Sequence, residues 1–402
     1  MQRAWIGDGR SNTHALRWFS GVTPLLLLLF AFLFSSCSLS HNSWQAGTLT
    51  QQHIHALAVD GKNAQIIYAG DVDGHIFVST DAGLHWNERS SLSLSSSTLL
   101  SLASDPSSAK LFAATSAGLF VSTDEAHSWN AIAPSRLPDD TYTAPAFTNA
   151  PLIYTGTAHH GVYVSDDDGN TWRASSRGLP GSVAISMVSI DTLQHRLWLA
   201  TSLGVYRSDD EGMSWRAMNV GLPSGVVATV VEPAAAFGGD AALVYAGTTQ
   251  GLYRSTDLGA NWTKISVLGT LLVHAILVDF RSKNGTTVYA ATNLGAFRSD
   301  DGGQNWGGVG AGLPHNAPVY TLAIGATSAS QLYAASNNVY LSPGIGNTGI
   351  DWTNLLSLII VVLVFVALFY VVRRELRRSR RGAQSPTRTG VPLPQDKPSD
   401  EE

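Results

Sequence analysis

The 402-residue chain contains a single cysteine, Cys37, so no internal disulfide can form and the fold does not depend on an oxidising compartment. Charge is sparse, with Asp, Glu, Lys and Arg supplying 14% of the residues. Positive charge is scarcer still in the body of the chain: residues 25–372 hold 14 Lys and Arg against 24 Asp and Glu. Such an acidic surface argues against nucleic acid as a partner. Glutamate, the usual residue for raised-pKa acid catalysis, occurs between 44 and 352 only as Glu88, Glu125, Glu211 and Glu232. Long apolar runs occur only near the two ends, so nothing between them reads as a membrane span.

Repetition dominates the remainder. The stretch "SDDDGNTW" from Ser165 returns as "STDAGLHW" from Ser79, "SDDEGMSW" from Ser208, "STDLGANW" from Ser255 and "SDDGGQNW" from Ser299, and without its glycine as "STDEAHSW" from Ser122. A step of about 43 residues is the period of a repeat architecture. Before each box stand two short β-branched and aromatic runs around a Gly-containing turn, as in "LWLATSLGVYR", which read as a hairpin. A further apolar run precedes most of them ("HALAVD", "ISMVSID"), and each tryptophan opens a polar fourth strand. Four short strands per repeat predict propeller blades, and the fold class is therefore all-β.

Within the box, the aspartates Asp81, Asp124, Asp167, Asp210, Asp257 and Asp301 are expected to accept backbone N–H groups in a tight turn. The tryptophans Trp86, Trp129, Trp172, Trp215, Trp262 and Trp306 are expected to pack blade on blade. Six copies of one carboxylate are what recurring turns require, and more than one reaction centre needs. A worn seventh unit, "YTLAIGATSASQLYAASNNVYLS", lacks a box. Trp44 keeps the tryptophan spacing, so the segment after it is predicted to supply the missing outer strand and close a seven-bladed ring over 44–352.

These boxes resemble the Asp-box, or BNR, repeat of sialidases, the sortilin ectodomain, xyloglucanases and the photosystem II stability and assembly factor. The resemblance implies the propeller but not one activity, since its members include enzymes, receptors and assembly factors. Sialidase-like chemistry would imply an arginine–isoleucine–proline motif before the first box, and the nearest sequence here is "SRLP" at 135–138, after the second. Arg173, Arg207, Arg216, Arg254 and Arg298 recur at equivalent places and read as blade surface. Glu88 and Glu232 are the glutamates outside the boxes.

In antiparallel blades the boxes share one face of the ring, and the turns between strands two and three share the other with the blade-to-blade connections. That second face is the expected ligand face. Its candidate residues are Asp71, Asp73, Asp139, Asp140, Tyr142, His159, His160, Gln250, Asn293 and Asn337, with Arg136 in the same long connection. Three alternatives are weighed there: Asp71 and Asp73 with Glu88 as a carboxylate pair for glycoside hydrolysis, His159 and His160 as metal ligands, and plain turn formation. No third metal ligand is evident by spacing, and no metal or cofactor is expected. The recurring "RGLP" at 177–180, "VGLP" at 220–223 and "AGLP" at 311–314 read as connection turns.

The ends complete the expectation. The ten apolar residues from Leu25 to Phe34 follow Arg3, Arg10 and Arg17, so 1–40 reads as a signal peptide or N-terminal anchor, with Cys37 a candidate for lipidation. Leu355 to Val372 holds eighteen uncharged residues followed by "RRELRRSRR", which predicts a transmembrane helix at 355–372 with a basic, disordered cytoplasmic tail at 373–402. The sequence reading is thus a non-catalytic, membrane-tethered, extracytoplasmic propeller at the cell membrane that binds a protein partner or a glycan. A glycoside hydrolase is the alternative.

Overall fold

The computed structural model describes residues 44–342 and Arg373, apart from 50–51, 93–96, 133–136, 149–151, 192–195, 236–241, 280–286, 310–311, 314–315 and 326–330. Cys37, Arg136, the apolar run at 25–34, the expected span at 355–372 and the tail beyond Arg373 lie outside the described residues. Among the described residues no helix is long and apolar enough to cross a membrane.

Seven four-stranded antiparallel sheets form seven blades. Blade 1 is Ile54–Val59, Ile67–Asp71, His75–Ser79 and Asn87–Ser91. Blades 2 to 6 repeat that order from Leu99, Ala146, Ile185, Ala228 and Val273. Blade 7 takes Thr321–Ile324, Leu332–Ala335 and Val339–Leu341 from one end of the chain and Gln45–Ala46 from the other, with Gln45 opposite Leu341 and Ala46 opposite Tyr340. The predicted closure is thus the observed one. First strands sit side by side around the axis, and Ile54–Val59 meets Thr321–Ile324 to complete the circle.

Burial follows from this arrangement. A second strand is covered by a neighbouring blade on both faces, so Leu111–Thr115 and Thr287–Thr292 are buried throughout and read as continuous apolar runs rather than alternating ones. The core is the set of blade-to-blade contacts: Tyr154, Val164, Leu197 and Trp215 pack between blades 3 and 4, and Trp198, Val244, Tyr253 and Trp262 between blades 4 and 5. Outer strands such as Arg173–Ala174 touch solvent and are exposed.

Two departures from regular pairing shape the axis. Five first strands shift register at one equivalent place, between Ile54 and Ala56, Leu99 and Ser101, Ile185 and Met187, Ala228 and Val230, and Val273 and Ala275. Each shift is a bulge that turns the intervening side chain out of the ladder. In blade 3 the first strand is reduced to Ala146–Phe147 plus an isolated bridge from Tyr142 to Thr157. Pro145 stands between them, and proline has no N–H to offer the ladder.

Candidate functional site

The box expected to be a turn is one. Ser165 Oγ donates to Asp167 Oδ1 at 2.9 Å, Gly169 N–H donates to Ser165 Oγ at 2.9 Å, and Asp167 Oδ1 accepts the Thr171 N–H at 2.7 Å. The other five boxes repeat the same three contacts. Hydrogen bonds from the residue four positions on, with help from the serine, pull the carboxyls of Asp81, Asp124, Asp167 and Asp301 down to about 2. The same donors lower Asp210 and Asp257. In the box without glycine, Glu125 and Ala126 both adopt positive φ, so the turn keeps its path at a backbone cost.

On the opposite face the candidate residues separate into turn-holders and exposed groups. Asp71 is 4% exposed; its Oδ1 accepts the Asp73 and His75 N–H groups at 3.0 and 2.9 Å, and its Oδ2 meets His75 Nδ1 at 2.8 Å. That bond raises the His75 pKa against the opposing effect of burial. Thr115, Thr201, Thr248 and Thr292 fill the same place in their blades, each donating to the carbonyl of a following glycine at 2.8 Å. Asp71 is therefore the blade 1 version of a recurring turn residue. Glu88 lies on the fourth strand opposite Phe77, two strands from Asp71 and so roughly 10 Å away laterally. The structure does not bring these two carboxylates together.

Asp140, His159 and His160 are brought together. The buried Asp140 accepts His159 Nδ1 on Oδ1 and His160 Nδ1 on Oδ2, each at 2.8 Å, and also the N–H groups of Thr141 and His159. Burial pushes this carboxyl up, and the four donors outweigh it and bring it down to about 2. Tyr142 is buried with its hydroxyl donating to Pro138 O, so it is a structural residue of the connection. Asp73, Asp139, Gln250, Asn293 and Asn337 are exposed. Asn293 accepts the Leu272 N–H, and Asn337 accepts the Tyr340 hydroxyl, through their side chains. Among the described residues no three His, Cys, Asp or Glu side chains converge on a metal position.

Sequence reasoning missed the mouth of the axial channel. The channel has a volume of about 480 Å³, and the bulge residues His55, Leu100, Ser186, Thr229 and His274, with Tyr320 of blade 7, line its mouth. His55 stacks on Tyr320 at 3.9 Å between ring centroids, and His274 lies against the same ring at 5.6 Å. Burial, with the neighbouring His53 and His274, lowers His55, and Asp71 opposes this; burial lowers His274. Both imidazoles are thus neutral at neutral pH, and the mouth offers a flat aromatic and apolar wall without a fixed charge. Leu100, 41% exposed, and Leu203 and Leu294 at the strand two to three turns add exposed apolar side chains at the same end of the blades. These side chains differ from blade to blade while the backbone repeats, and that difference was the one signal available in the sequence.

One expectation is corrected. Arg207, read as blade surface, is 7% exposed. It lies over the Trp198 ring at 5.4 Å and donates to Leu258 O in the box of blade 5 at 2.6 Å, because a strand-three side chain faces the next blade.

No protein-family model matches the chain, and no curated protein does. Among solved structures the chain is similar to YCF48 from Cyanidioschyzon merolae, with a TM-score of 0.58 at 15% identity, over 76% of this chain and 100% of that one. A structure of YCF48 bound to D1 peptide aligns with a TM-score of 0.59 at 15% identity, over 76% and 98% of the two chains. The GH74 xyloglucanase from Xanthomonas campestris aligns with a TM-score of 0.60 at 17% identity, over 77% of this chain but 55% of the enzyme. The chain has the seven-bladed propeller fold that these proteins share.

Proposed function

We propose that this protein is a membrane-tethered, extracytoplasmic propeller that binds a peptide segment of a protein partner across the face opposite its boxes, without catalysis. The observation that carries this reading is the channel mouth: an uncharged funnel whose side chains are set by bulges in five separate blades. Neutral imidazoles, a phenol and a leucine in a concave rim are suited to an apolar or aromatic anchor residue with backbone on either side. One propeller of the same fold holds a peptide, which supports the choice of ligand class. Of the carboxylates that a hydrolase reading would use, Asp71 is engaged as a turn-holder, and Glu88 lies two strands away from it. Tethering rests on the apolar segment at 355–372 and the basic residues after it.

Crosslinking in intact cells, followed by detergent co-purification, tests the reading with the native chain and a Leu100→Ser/Tyr320→Ala variant. The expected result is an envelope protein captured by the native chain and lost from the folded variant. Equal capture by both would remove the channel mouth from the function. Protease added outside intact cells should digest the propeller and spare an epitope placed after residue 382; digestion of that epitope instead would reverse the orientation.

A further inference from the structure

We infer that the channel mouth releases its ligand on acidification: through His55 and His274 it holds an uncharged, apolar segment of its partner at neutral pH and lets that segment go as the pH falls. The inference rests on the reading of the mouth as a peptide site and adds its regulation. Three neighbouring blades set this part of the rim. His274 is the bulge residue of blade 6, Tyr320 holds the equivalent place in blade 7 just before the paired Thr321, and His55 is the bulge residue of blade 1. Their rings form one cluster, with His55 stacked on Tyr320 at 3.9 Å and 21° and His274 against the same ring at 5.6 Å and 57°. The bulge residues of blades 2, 4 and 5 are Leu100, Ser186 and Thr229, none of which changes charge near neutrality.

The cluster has no counter-ion in the channel. Among the described residues that line it, the titratable ones are His55, His274, Tyr142 and Tyr320, with no carboxylate, lysine or arginine. Outside the lining, the exposed His53 and the carboxylate of Asp71 face His55, and His75 is bonded to that carboxylate. Asp71 lies opposite Ile54 in the ladder and is filled by the N–H groups of Asp73 and His75 and by His75 Nδ1, so it acts on His55 without bonding to it. A proton on either imidazole is therefore poorly compensated, and protons on both repel. Burial, with His53 and His274 adding to it and Asp71 opposing, holds His55 below the ordinary histidine value, and burial does the same to His274. An apolar anchor seated against these rings takes more water from them and disfavours their charged forms further. Binding to a protonated mouth must expel the protons, and by reciprocity protons weaken binding. Above about pH 6.5 both rings are already neutral, so the affinity is level there and falls as the pH drops through their values in the free protein.

The test is calorimetric titration of the full-length protein in detergent with a blocked peptide, acetyl-Gly-Gly-Phe-Gly-Gly-amide, which has no group that titrates. Measurements at about pH 7.5 and about pH 4.5 bracket the imidazoles and stay above the range in which the box carboxyls, at about 2, lose their charge. Binding is expected to be weaker at the lower pH by about tenfold or more. In a His55→Gln/His274→Gln variant the affinity, whatever its strength, should be the same at both. Proton NMR of the native protein should show the two histidine midpoints moving down when the peptide is added. Equal affinity of the native protein at the two pH values would overturn the inference and leave the peptide reading standing, as would full pH dependence in the double variant or histidine midpoints that the peptide does not move. A native protein that binds the peptide at neither pH would overturn the peptide reading itself, and the inference with it.

Discussion

At the scale of single residues, the boxes make stability depend on pH with a definite sign. Folded carboxyls near 2 in Asp81, Asp124, Asp167 and Asp301 lie below the unfolded aspartate value of about 3.9. Their stabilisation is therefore complete above about pH 4 and is lost as pH falls through about 2. His75 works in the opposite sense: its pKa is raised by Asp71, so its contribution is full below about pH 6.5 and is lost as pH rises through the folded value. Replacing Asp167 by Asn should reduce the protons taken up on unfolding between pH 4 and 2 by about one. The slope of unfolding free energy against pH measures this, and an unaltered slope would mean that the box does not lower the Asp167 pKa in the fold. Asp71 shows what one residue's chemistry conceals. An acidic side chain in "DVDG" reads as a ligand, and only its alignment with the buried Thr115, Thr201, Thr248 and Thr292 shows that it holds a turn.

At the scale of elements, the recurring Gly-Leu-Pro connections are more than turns. Gly178, Gly221 and Gly312 have φ of 90, 95 and 91°, and a methyl group on them would come within 2.3, 2.3 and 2.1 Å of the carbonyl oxygen of Trp215, Trp262 and Trp44, the tryptophans of the following blades. Those three tryptophans direct Nε1 to the outer strand of the preceding blade, at Ser175, Met218 and Val309. Trp86, Trp172 and Trp306, which follow no such connection, bond their own box glycine instead. The connection and the indole form a latch between neighbours. Gly221→Ala should cost about 3 kcal/mol, adding the left-handed φ to a backbone overlap. Gly181→Ala, with nothing within 4 Å, should cost far less. Denaturant unfolding of both variants decides the matter, and equal losses would show that the latch does not bear on stability.

At the scale of the whole molecule, stability depends on joining the two ends of the propeller. Trp44 is 3% exposed and packs with Tyr289, Leu332 and Tyr340, in sequence some 245 to 300 residues away. Its loss opens blade 7 and bares the edge of Val339–Leu341, which other chains can then pair with. Trp44→Ala should cost about 3–5 kcal/mol and promote self-association. Thermal melting with light scattering measures both. A melting temperature equal to that of the native protein would mean that the ring closes without its N-terminal strand.

The amino-acid sequence by itself determined the repeat, the number of blades, the role of the boxes and the closing strand. Each of these is a local demand made again every forty or so residues, and repetition makes a weak local signal decisive. Only the tertiary structure decided what lies at the axis and in the grooves. His55, His274 and Tyr320 are far apart in the chain and meet because bulged first strands converge on one centre. Arg254 lines a groove with Gln304 because a strand-three side chain faces the next blade. Periodicity places a residue in its blade, but a site between blades depends on closure of the ring, which no single repeat contains.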